Sequence, residues 1–100
     1  MGFTMSTFEK LQRQRPQLMA IAHRHGATNV RVFGSVVRGE DTETSDVDFL
    51  VDMQEGCSLL DLVGLQQDFE QFLGQRIDVL TERGLNRYLK DRILTEARPL

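Results

Sequence analysis

The chain's 100 residues are 40% apolar and 27% charged, which suits one globular domain spanning 1–100 and excludes disordered, collagenous and membrane-spanning classes. Twelve basic against fifteen acidic residues leave a net charge of −3, so no direct nucleic-acid binding is expected, although a bound cation would let such a chain hold a nucleotide. The single cysteine, Cys57, has no internal disulfide partner, and MGFTMSTFEK has no basic segment ahead of an apolar run. No export signal is therefore expected, and the cytoplasm is the expected compartment.

Ser6-x-x-Glu9 is a capping-box signature that opens a helix. Pro16 either kinks that helix or begins a new one. After it, Leu18, Ile21, Ala22 and His25 keep the spacing of a one-sided helix, and Gly26 supplies a stop. Val30, Val32 and Phe33 predict a short strand ending at Gly34, and residues 39–45 form a polar turn. Val47 to Val51 carry the strongest strand signal, with Asp46, Asp48, Leu50 and Asp52 on one face and Val47, Phe49, Val51 and Met53 on the other. Ser58-x-x-Asp61 opens a second long helix closed by Gly74, with Gly64 marking a close approach to the sheet. RIDVL, Arg76 to Leu80, is a third strand, and a last helix is expected from about 82 to 97. The order predicts an α+β fold, a small sheet covered by helices.

Chemistry concentrates between Gly34 and Asp48. A glycine at a strand end lets backbone N–H groups approach a ligand, and a following helical turn at Ser35 would face an anion such as phosphate; the same pair also serves as a plain turn. Asp46 and Asp48 are about 6.6 Å apart along one strand face. Two such carboxylates repel unless a cation sits between them, and they suit Mg²⁺ completed by substrate phosphates, or else they are solvent-facing acids at a strand start. Asp78, in RIDVL, enters the same cleft if its strand neighbours theirs. Asp52, about 13 Å beyond Asp48, lies too far to share an ion. Arg38, one turn after Ser35, reaches a phosphate or pairs with Asp41.

Gly34-Ser35, ten residues and then Asp46-Val47-Asp48 resemble the GSx10DxD signature of nucleotidyltransferases with the DNA polymerase β-like fold. FGSVVRGEDTETSDVDFLVD and SLLDLVGLQQDFEQFLGQRIDVLTE closely resemble the minimal nucleotidyltransferase (MNT) family, and the likeness runs from about Val30 to Ala97. The resemblance implies that Gly34 and Ser35 hold the β- and γ-phosphates of ATP, and that Asp46 and Asp48 ligate two Mg²⁺ ions. It implies that Asp78 binds one ion and activates the attacking hydroxyl.

The family resemblance further implies a separate acceptor protein, a HEPN-domain toxin. On that resemblance the chain is expected to act as antitoxin in a hetero-oligomer, transferring AMP to one of the toxin's tyrosines. Two other readings stand beside it: a non-catalytic antitoxin that neutralises its partner by binding, and a nucleotidyltransferase for another acceptor. Tyr88, Leu89 and Leu100 either form a partner surface or pack the last helix on the sheet. His23 and His25 are read as surface or helix-end residues, and Cys57 as inert.

Overall fold

Both capping boxes form in the computed structural model, which describes residues 5–100; residues 1–4, the start of the segment read for an export signal, lie outside the described residues. Ser6 accepts the Glu9 amide at 3.1 Å and starts α1, Thr7–Arg13. Pro16 starts a new helix: it lies in the first turn of α2, Arg15–Arg24, where its missing N–H costs no intrahelical bond. His25 caps α2, and Gly26 turns the chain at φ 76°.

Four strands follow, β1 Ala27–Phe33, β2 Val47–Met53, β3 Ile77–Thr81 and β4 Arg98–Pro99, in sheet order β3-β2-β1-β4. Between β1 and β2 lies the single-turn α3, Ser35–Arg38. β1 pairs antiparallel with β2 and β4, whereas β2 and β3 are parallel. A parallel pair needs a crossover, and α4, Leu59–Leu73, supplies it, closed by Gly74 at φ 70°. β3 is an edge, and α4 covers part of it: Glu70 and Gln66 side chains accept the Ile77 and Val79 amides, each at 3.4 Å.

One sheet face carries the core. Val47, Phe49 and Val51 join Leu18, Leu65 and Phe69 there, and the Phe49 and Phe69 rings meet at 4.8 Å between centroids. Asp48, Leu50 and Asp52 take the opposite face, as the alternation of β2 predicts. Leu50 is nevertheless fully buried, flanked in register by Arg31 of β1 and Leu80 of β3.

β1 reaches that face through an irregularity. Its pairing shifts by one residue between Thr28 and Arg31, at Asn29, which adopts φ 50°. The shift is a bulge: Thr28 opposite Asp52 and Arg31 opposite Leu50 share a face that strict alternation would deny them. Asn29 tolerates the left-handed backbone, and its side chain donates to Asp52 at 3.0 Å.

Three expectations are corrected. The last helix is split: a 3₁₀ turn at Glu82–Gly84, held by the Thr81 hydroxyl on the Gly84 amide, precedes α5, Arg87–Glu96. The chain then ends as β4, an added edge strand. Gly64 approaches His25 rather than the sheet, since a Cβ there would stand 3.0 Å from the imidazole ring that pairs with Asp68. The mixed sheet with its helices is the α+β arrangement expected.

Phe69 is fully buried against Phe49. Phe69→Ala should lower unfolding free energy by about 3–5 kcal/mol in urea titration; a loss below about 1 kcal/mol would mean that this contact does not anchor the core.

Candidate active site

The acid face is assembled from the ends of three strands. In the parallel ladder Asp48 of β2 stands directly beside Asp78 of β3, so both carboxylates leave the sheet on one side. Asp46 lies exposed just ahead of β2. On the other side of Asp48, Phe33 is its partner across β1, and the chain leaves β1 through Gly34 at φ 81° and ψ −153°. A Cβ on Gly34 would overlap the Asp48 carboxylate, so this position needs glycine both for its backbone and for the space the acid occupies. Ser35 then opens α3, whose turn closes with the Val37 and Arg38 amides on the Gly34 carbonyl, at 3.1 and 3.2 Å.

The electrostatics follow from that crowding. Asp48 is half-buried, and burial first, then repulsion from Asp78 and Asp46, together lift its pKa to about 6 against the opposing pull of Arg38. Arg38 does not pair with Asp41, whose carboxylate instead accepts the Thr7 hydroxyl. Its guanidinium holds Glu40 at 2.7 Å and Glu96 of α5 at 2.6 Å, and these bonds raise its already high pKa. Glu96 also accepts the Gly34 amide at 2.8 Å. Burial alone would raise the Glu96 pKa, but the bonds from Arg38 and Gly34 outweigh it and hold the carboxyl below its usual value.

Asp48, Asp78, Gly34 and Arg38 are thus gathered at one end of the sheet, with Asp46 close enough to perturb Asp48. Asp52 points elsewhere, bonded to Arg31 at 3.0 Å and to Asn29. Glu96 is the member that sequence reasoning missed, and no spacing signal in α5 distinguishes it from an ordinary surface acid. As the side chains stand, no three His, Cys, Asp or Glu groups among the described residues close around one point to make a metal site. The donor set still suits a hard divalent cation. Mg²⁺ takes one or two carboxylates and fills its shell with water and phosphate, and a cation beside Asp48 would relieve the repulsion that raises its pKa.

A nucleotidyltransferase domain family model matches residues 17–100. The chain belongs to the nucleotidyltransferase family. It is 48% identical over 81 residues to a candidate protein adenylyltransferase of Methanocaldococcus jannaschii, spanning 81% of this chain and 87% of that protein. It is 41% identical over 76 residues to the protein adenylyltransferase MntA of Thermococcus cleftensis, spanning 76% and 77%. A solved structure of a candidate minimal nucleotidyltransferase superposes with a TM-score of 0.83 at 46% identity, covering 99% of this chain and 100% of that one. A toxin–antitoxin crystal structure with AMP-PNP shares the fold at a TM-score of 0.72 and 17% identity, covering 84% and 69%. The chain is accordingly a nucleotidyltransferase of the minimal type. No helix among its described residues is long and apolar enough to cross a membrane.

The nucleotidyltransferase's raised Asp48 pKa has a stability consequence. Between an unfolded value of 3.8 and a folded value of about 6 the folded state binds the extra proton. Stability therefore falls as pH rises through that window and stays reduced above it. Allowing for solvent screening of a half-buried group, ionised Asp48 costs about 1–2 kcal/mol. Asp48→Asn should raise Tm at neutral pH by about 4–10 °C and lose that advantage below about pH 4 in thermal denaturation. An unchanged Tm at neutral pH would refute the strain.

Proposed function

We propose that this nucleotidyltransferase transfers AMP from ATP to a tyrosine hydroxyl of a HEPN-domain toxin in the cytoplasm, with Mg²⁺, and so acts as its antitoxin. The observation that carries the reading is Asp48 wedged between Gly34 and Asp78: a repelling carboxylate pair beside a backbone cradle that only glycine can form. The relatives named protein adenylyltransferase support AMP and a protein acceptor, and the toxin–antitoxin structure that shares the fold supports a toxin partner.

In this reading the Gly34 amide, Ser35 and the Arg38 guanidinium bind the β- and γ-phosphates. Asp46, Asp48 and Asp78 would hold two Mg²⁺ ions, which would supply charge neutralisation for the transfer. Asp78, exposed on the edge strand, also takes the proton of the tyrosine hydroxyl. The tyrosine oxygen forms a bond to the α-phosphorus, the bond from that phosphorus to the bridging oxygen breaks, and pyrophosphate leaves with the electron pair. Fixed orientation of the two reactants does most of the remaining work.

Incubating the protein with ATP, Mg²⁺ and its HEPN partner should add one or more AMP units to the partner by intact mass, blocked by tyrosine-to-phenylalanine substitution of the acceptor. Asp48→Asn and Asp78→Asn should each slow the transfer at least about 100-fold. If Asp46→Asn/Asp48→Asn together left cells fully protected from the toxin, neutralisation by binding alone would replace transfer as the function.

A further inference from the structure

The donors assigned to phosphate already have an occupant from within the chain. Glu96 receives the Gly34 amide on one carboxylate oxygen and Arg38 Nη1 on the other, at 2.8 and 2.6 Å. Two oxygens bridging a backbone amide and a guanidinium reproduce the contacts that a phosphate group makes with such a pair. The bond is well made: the Glu96 side chain is only 17% exposed.

The helix that delivers Glu96 is loosely held. No residue of α5 is fully buried, and Tyr88 and Leu89 are 84% and 48% exposed. Its downstream end is fixed separately, because β4 pairs with β1 and the Leu100 amide reaches the Val30 carbonyl at 3.2 Å. Ala97 alone separates Glu96 from β4, with an extended backbone at φ −61° and ψ 135°. A backbone rotation at that residue would carry the carboxylate off the cradle and leave β4 paired.

We propose that Glu96 is an internal competitor for the phosphate subsite: the triphosphate enters by exchanging its oxygens for the Glu96 carboxylate on Gly34 and Arg38, and α5 swings aside as it does. This rests on the reading of Gly34 and Arg38 as phosphate donors. Glu96 is a further negative charge acting on Asp48 beside Asp46 and Asp78, so its departure offsets part of the negative charge that the polyphosphate brings. The closed state lowers apparent affinity by the fraction of time the corner is free, and a part-exposed ion pair of this kind makes that factor about three to ten.

Isothermal titration of the full chain with inorganic tripolyphosphate, and with a non-hydrolysable ATP analogue in Mg²⁺, tests the exchange. Glu96→Gln and Glu96→Ala should both tighten Kd about three- to tenfold. In the unmodified chain, tripolyphosphate should speed hydrogen–deuterium exchange of the α5 amides, a readout that needs no variant. Unaltered or weaker binding by Glu96→Gln, or α5 exchange that is unchanged or slowed by tripolyphosphate, overturns the competitor and leaves the phosphate subsite standing. Absence of binding by every form removes the subsite itself and the competitor with it.

Discussion

Placing a carboxylate against bare backbone is the constraint on which the site depends. Asp48 occupies the volume that any side chain at position 34 would fill, and it faces Asp78 across a parallel pair of strands. The parallel pairing exists because α4 carries the chain over the sheet and buries Leu65 and Phe69 on its far face. The glycine turn exists because β1 ends there and α3 begins. The fold thus concentrates repulsion on one face of β2 and offsets it with apolar burial on the other, the usual relation between a reactive site and the scaffold that holds it.

The parts of this arrangement that depend on local order were legible in the residues. Strict alternation through VDFLVDM separates Asp48 from Val47 and Phe49, and each capping box announces its helix within four residues. The Gly34–Ser35 to Asp46–Asp48 spacing pointed to the site through its resemblance to the nucleotidyltransferase signature; from the residues alone the first pair also reads as a plain turn and the second as solvent-facing acids. Asp78 was legible as a carboxylate inside an apolar strand, although its place beside Asp48 depended on which strands were neighbours.

What stayed hidden depends on contacts distant in sequence. The bulge at Asn29 brings Arg31 to the acid face, and its cause lies in pairing with β2 rather than in its own neighbours. β4 is two residues long and forms only because β1 offers an open edge. Gly64 signalled a close approach, but nothing local says that His25 is what approaches. Glu96 meets Gly34 across 62 positions, and on α5 it reads as one of two surface acids. The sequence offers Arg38 a phosphate or Asp41; the structure removes the Asp41 pairing and places Glu40, two positions on, and the remote Glu96 against the guanidinium.

The most direct test of the whole account is the ionisation of Asp48, followed through its carboxyl-carbon chemical shift between about pH 3 and pH 8 in metal-free protein. A midpoint of about 6 is expected, moving down towards the ordinary carboxylate range in Asp78→Asn and on saturation with Mg²⁺ and nucleotide. A midpoint already ordinary in the metal-free protein, or one indifferent to Asp78, would contradict it.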